Sequence, residues 1–233
     1  EFMIYDGGDV TNIHLFRIFD RWGALLFEAM WTYIHKDNPD LWIWLGDNIY
    51  ADTENMAALE AMYAQQKSKA GYQKLLNSCP VIGIWDDHDY GLNDGGKEFS
   101  KKSESKDLML NFLDVQDTAA VRSRTGAYQS YTIGPAGKRV KIILLDTRYF
   151  RDGLKPDPSP NNRYFPNPEG DILGEAQWQW LETELRNSDA QLHLIASSIQ
   201  VLPQEHGYEK WSNLPTARQR LLDLLAAVKP GFT

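Results

Sequence analysis

Four apolar runs frame this chain: Leu41-Trp42-Ile43-Trp44-Leu45, which is unbroken, Val81-Ile82-Gly83-Ile84-Trp85, Val140 to Leu145 and Leu192 to Ala196. Short apolar runs bounded by turn residues read as buried strands. Between them the apolar spacing becomes helical. Residues 23–36 place Leu26, Phe27, Met30, Trp31 and Ile34 on one face. Residues 54–77 predict a helix in two pieces, broken near Gly71, and the charged stretch 97–107 leads into a helix through Leu108, Leu110, Phe112 and Leu113. Two more helices are predicted, at Gly174 to Asn187 with Trp178 and Leu181 facing inward, and at Pro215 to Val228. Tyr128 to Ile133 alternates, and a Gly-Pro-Ala-Gly turn joins it to the Val140 run as a hairpin. Ile13 to Phe19 predicts a further strand ending at Asp20. The Asp-, Asn- and Gly-rich stretch after Trp85 reads as a loop. Residues 151–172 form a long Pro- and Asn-rich loop, of the length that is functional or mobile in compact domains. Residues 1–12 carry little pattern, and neither a linker nor a repeat divides the chain. Strands alternating with helices predict a single α/β layered domain over residues 1–233.

The strand ends carry the chemistry. They read Gly46-Asp47-Asn48, Asp86-Asp87-His88-Asp89, Asp146-Thr147-Arg148 and Ser197-Ser198. In open α/β sheets, sites form at the carboxyl ends of strands, so three of the four ends would bring carboxylates to one rim. Crowded carboxylates either retain protons or gather a cation. Oxygen-rich sites suit hard metals such as Ca2+, Mg2+ or Mn2+. Tyr50 near such a rim would favour a trivalent ion, because a free phenol ionises only near a pKa of about 10. His88 is either a loop histidine held by an acid or a general acid and oxyanion donor kept cationic by its aspartates. Arg148 is either a salt-bridge partner or a planar fork for a phosphoryl group.

Composition narrows the partners. A formal charge of −8 repels duplex nucleic acid on average. No stretch approaches membrane-spanning length, and the start lacks a basic-then-apolar export signal. The opening Glu-Phe-Met reads as an appended sequence rather than a native start. One cysteine, Cys79, excludes an internal disulfide. It begins the strand whose far end is Asp87, roughly 20 Å away at about 3.3 Å per residue, so it reads as a core thiol. Eight tryptophans and eleven tyrosines suffice to fill a core or to line a cleft.

The motifs Gly46-Asp47-Asn48-Ile49-Tyr50, Trp85-Asp86-Asp87-His88-Asp89-Tyr90-Gly91 with Asn93-Asp94-Gly95-Gly96, and Leu145-Asp146-Thr147-Arg148 resemble those of the PhoD-like alkaline phosphatase/phosphodiesterase family. Leu173-Gly174 with Gln177 and Trp180-Leu181, and Glu209-Lys210-Trp211 with Pro215 and Arg218, extend the resemblance over about residues 38–228. It implies the calcineurin-like metallophosphoesterase architecture: a four-layer sandwich, two mixed sheets flanked by helices. It implies two or more metal ions, Fe3+ with Ca2+ in this family and Mg2+, Mn2+ or Zn2+ as alternatives, that activate water against a small phosphomonoester or phosphodiester. By position, Asp47 resembles the metal-bridging carboxylate, Tyr50 the tyrosinate on iron and Asp87 a second-metal ligand. His88 resembles the histidine that assists the leaving group or phosphoryl oxygens, and Arg148 is the candidate substrate fork.

The chain departs from the pattern twice. The family's Gly-Ser-Cys after the first strand is replaced by Phe16-Arg17-Ile18-Phe19-Asp20-Arg21-Trp22-Gly23, where Asp20 is the candidate substitute for the cysteine. The family's closing strand and Gly-Asp-x-His motif are absent before Thr233, so the resemblance implies a core truncated at its C-terminus. Two other readings are an incomplete relative that binds metal or a phosphorylated ligand without turnover, and a metal-free hydrolase with paired carboxylates such as a glycosidase. The family is often exported. Oligomeric state is not encoded in any pattern here.

Overall fold

The computed structural model describes residues 13–16, 24–159 and 163–228. The chain begins with β1 (Ile13–Phe16), α1 (Ala24–Asp37) and β2 (Leu41–Leu45), then α2 (Met56–Ser68), α3 (Ala70–Leu76) and β3 (Val81–Ile84). Next come α4 (Asp87–Tyr90), α5 (Lys102–Phe112), α6 (Ala120–Ser123), β4 (Gln129–Ile133) and β5 (Val140–Leu144). A small antiparallel pair, β6 (Lys155–Pro156) and β7 (Tyr164–Phe165), interrupts the long loop. The chain then continues through α7 (Gly174–Arg186), β8 (Leu192–Ala196), a 3-10 turn at Trp211–Asn213 and α8 (Pro215–Val228).

All four apolar runs are strands. β1, β2 and β3 form one parallel sheet. β4 and β5 pair antiparallel as the hairpin predicts, and β8 adds parallel to β5, making a mixed sheet. The alternation along β5 shows how the layers stack. Ile142 and Leu144 join the core of the first sheet and of α1, α2, α3 and α5, whereas Ile143 and Leu145 join the core under α7 and α8. Successive side chains of a strand point to opposite faces, so the molecule is helices, sheet, sheet, helices. This is the four-layer α/β sandwich that the resemblance implies, with the second sheet mixed and the first parallel throughout its described strands.

The tryptophans serve the core. Trp31, Trp42, Trp44, Trp85, Trp178 and Trp211 are all buried, and Trp31, Trp42, Trp44, Tyr72 and Phe112 form one continuous aromatic cluster. Cys79 is buried and free, as its position implies, and burial raises its thiol pKa. Asp20 and the residues after Phe16 in the predicted first strand lie outside the described residues, as do the side chains of Leu26 and Phe27.

Two local expectations are corrected. The break in the 54–77 helix falls at Lys69, whose backbone is extended (φ −60°, ψ 129°), and Gly71 lies inside α3. Its role is contact rather than fracture: a Cβ there would fall onto the Trp31 ring. Gly→Ala inside a helix ordinarily gains about 0.5–1 kcal/mol, but overpacking costs about 1–3 kcal/mol, and Trp31 is itself locked among aromatics. Gly71→Ala is therefore expected to lower the chemical-denaturation midpoint; an unchanged or raised midpoint would show that Trp31 yields. The second correction concerns the Asp-rich loop, whose first part is the one-turn helix α4. The Asp89 side chain accepts from the Asp86 amide at 2.7 Å at its start, and Gly91, at φ 118°, ends it.

Candidate metal centre

Gly46 sets the site by letting the β2 and β3 ends touch. Its φ is 98°, and a Cβ would collide with the Asp86 side chain and backbone. Asp47 follows in the left-handed region (φ 53°), as do Asp52 and Asp94. Asp and Asn tolerate that conformation better than other side-chain-bearing residues, and its recurrence here marks a backbone bent to aim side chains. Asn48 bolts the two ends together, donating to Ile84 O at 3.1 Å and Asp89 Oδ2 at 2.6 Å. The amides of Ala51 and Asp52 both donate to His88 O at 3.2 Å.

Asp47, Asp87 and His88 converge, each offering a ligand atom within 4.8 Å of the others. Tyr50 joins them: its hydroxyl donates to Asp47 Oδ2 at 3.1 Å, and its ring lies against His88 with centroids 4.2 Å apart. The four residues singled out from sequence as bridging carboxylate, tyrosinate, second carboxylate and histidine thus share one surface. The direct partner of His88 is Asp52, with Nδ1 at 2.8 Å from both carboxylate oxygens. Burial opposes the His88 cation, but Asp87, Asp52 and Asp47 outweigh it and raise its pKa. Burial likewise opposes the Asp87 anion, yet Arg148 and the Asp94 amide, which donates to Oδ2 at 2.8 Å, keep its pKa below the usual value.

The other acids of the motif are spent on structure. Asp89 is fully buried, accepting from Asn48, Tyr63 and the Asp86 amide, and burial raises its pKa well above normal. Asp146, expected on the rim, is inside the protein. Its carboxylate accepts from Trp85 Nε1 at 2.9 Å and from the amides of Ala127, Arg148 and Tyr149 at 2.7–3.0 Å. Two strand ends, not three, bring carboxylates to the site. Ser198 at the fourth end bonds to Thr147 at 2.6 Å, and Ser197 receives Trp211 Nε1 at 2.9 Å.

Arg148 resolves toward its salt-bridge reading rather than a substrate fork. Its side chain is 1% exposed. It pairs with Asp86 through both Nε and Nη2, with Glu209 at 2.6 Å and with Gly95 O at 3.2 Å. Nη2 stands 3.9 Å from Asp87 Oδ1. Arg151, also buried, lies 3.0 Å from Glu209 Oε1 and donates to the carbonyls of Asp94 and Asp152. Burial pushes Glu209 up to about 7 against both arginines. Asp87, Asp94 and Glu209 form a second group of ligand atoms within 4.8 Å, adjoining the first through Asp87.

Sequence reasoning did not assign roles to Asp52, Arg151 or Glu209. Glu209 lay within a quoted motif, but no spacing along the chain places it beside Asp87. The donor set fits hard cations: buried carboxylate oxygens, a phenol and an imidazole, with the nearest arginine held back by Asp86 and Glu209.

The chain matches the PhoD-like phosphatase family over residues 20–231. It is 26% identical over 252 aligned positions to alkaline phosphatase D of Bacillus subtilis (strain 168), with 85% of this chain and 40% of that protein covered. A solved structure titled "Structure of PhoD" superposes with a TM-score of 0.67 at 20% identity, covering 85% of this chain and 45% of that one. The chain spans less than half the length of these relatives. With the family model spanning most of its length, the chain belongs to the PhoD-like phosphatase family.

Proposed function

We propose that this chain carries the catalytic core of a metal-dependent phosphoester hydrolase acting on small phosphomonoesters or phosphodiesters. The observation that carries the reading is the convergence of Asp47, Asp87 and His88 within 4.8 Å, on two strand ends whose contact requires Gly46. Asp47, Tyr50 and Asp87 would hold the cations, and the phenol favours Fe3+ beside Ca2+. Bound there, such ions supply a nucleophile from water near neutral pH and a clamp for phosphoryl oxygens.

The protein's own part follows from its bonds. Asp52 holds Nδ1 of His88, which leaves Nε2 for the substrate. The bond from Asp52 favours the imidazolium, in which His88 would donate a hydrogen bond to a phosphoryl oxygen or a proton to the departing alkoxide. Tyr50 packs against that ring at a 34° tilt, its centroid 4.2 Å away. A buried Arg148 leaves charge neutralisation of the substrate to the cations and His88.

Metal content and hydrolysis of bis(p-nitrophenyl) phosphate, measured on the same sample, test the reading. Exhaustive chelation is expected to bring hydrolysis to background, and iron with calcium to restore it. Activity that survives chelation would overturn the proposal in favour of a metal-free carboxylate pair. Metal bound without hydrolysis would leave a binding protein instead.

A further inference from the structure

Three arginines form ion pairs with the acids of the Asp87, Asp94 and Glu209 group, and they differ in kind. Arg148 and Arg151 are buried and ion-paired with Glu209. Arg163 is 54% exposed, with Nη1 3.8 Å from Asp94 Oδ2, too long for a hydrogen bond. Its guanidinium lies over the Tyr208 ring, 4.6 Å from the centroid. With its charge against the Tyr208 ring and more than half of its side chain exposed, the guanidinium keeps N–H donors available to solvent, the planar fork that suits a phosphate.

The arginine is also held in place. Its amide donates to Gly207 O at 2.9 Å, and its carbonyl accepts from Asp157 at 2.7 Å. The neighbouring Tyr164 donates to Asp94 Oδ2, pinning the hairpin to the acidic group and satisfying the oxygen that Arg163 faces. Tyr208, 62% exposed, has no core to fill on its outer side. A solvent-facing cation whose backbone is tied to Gly207 and Asp157 beside the candidate metal centre lowers the ordering cost of capturing a charged substrate.

Resting on the hydrolase reading, we infer that Arg163, on its Tyr208 platform, binds a second anionic group of the substrate. The preferred substrates are phosphoesters with a further phosphate beside the scissile one, rather than isolated monoesters. The reacting phosphate belongs to the Asp47, Asp87 and His88 end, and its neighbour reaches past Asp94 to Arg163.

Calorimetric titration of the magnesium-loaded chain with inorganic pyrophosphate and, separately, inorganic phosphate tests this. Wild type is expected to bind pyrophosphate more tightly. Arg163→Gln should weaken pyrophosphate about tenfold, close to 1.4 kcal/mol, while phosphate moves less than twofold. Arg163→Lys keeps the charge but not the fork and should fall between, and Tyr208→Ala should reproduce part of the loss. The inference is overturned if Arg163→Gln binds both anions as wild type does, if both affinities fall equally, or if wild type shows no preference or no binding. Because the readout is binding, it stands apart from the hydrolysis assay: hydrolysis with no Arg163 effect sinks this inference alone, and an Arg163 effect without hydrolysis sinks the enzymatic reading alone.

Discussion

Asp47→Asn is expected to lower kcat/KM on a chromogenic phosphodiester by about 1,000-fold with metals supplied, the upper range for removing one charge-stabilising group from an active site. The substitution isolates charge from shape. Asn is nearly isosteric with Asp and is among the few residues that accept the left-handed conformation of position 47, so the strand end should keep its path. Asn48, which joins this turn to the β3 end through Ile84 and Asp89, is untouched. What disappears is one of the two carboxylates that converge with His88 as candidate metal ligands, while Asp52 keeps its bond to Nδ1. Metal content should fall with activity, and the thermal midpoint of the metal-free protein should stay level or rise, since a like charge beside Asp87 has gone. A variant with wild-type turnover would refute the role of Asp47; one with full metal content but no turnover would move that role from ligation to chemistry.

The strands and the site were legible in the sequence to different degrees. The four apolar runs became strands because they lie between packed layers, which weakens the alternation; β5 shows this, with neighbouring residues feeding two separate cores. α4 was hidden because Asp86-Asp87-His88-Asp89 has loop composition, whereas the turn is closed by the Tyr90 and Gly91 amides on the Asp86 and Asp87 carbonyls and capped by the Asp89 side chain on the Asp86 amide. Gly71 was misread as a breaker because composition cannot reveal that Trp31 lies against it. Asp47, Tyr50, Asp87 and His88, marked in the sequence by strand ends and motif order, lie together in the fold. Asp146 carried the same mark and proved structural, since its acceptors are consumed by Trp85 and three amides. Glu209 and Asp52 act through proximity across long or unmarked separations, which a linear pattern does not encode.

Arg148→Met should unfold the protein more readily rather than weaken substrate capture. The guanidinium is the shared counter-ion of Asp86 and Glu209, both buried. Taking one member out of a buried charged set costs about 3–5 kcal/mol, because the partners stay behind uncompensated. At about 2–4 °C per kcal/mol for a domain of this size, the thermal midpoint should fall by about 6–20 °C. Glu209, already pushed up to about 7 by burial, would take a proton and offset part of the loss. Combining Arg148→Met with Glu209→Gln should therefore recover some of the midpoint, and the recovery should be larger above pH 7, where Glu209 alone would otherwise be ionised. The alternative from sequence, a phosphoryl fork, makes the opposite prediction: an unchanged midpoint and a raised KM. That outcome would mean that Arg148 leaves its pocket when substrate binds, and would overturn the assignment of the pair as a structural bolt between β3 and the loop carrying Glu209.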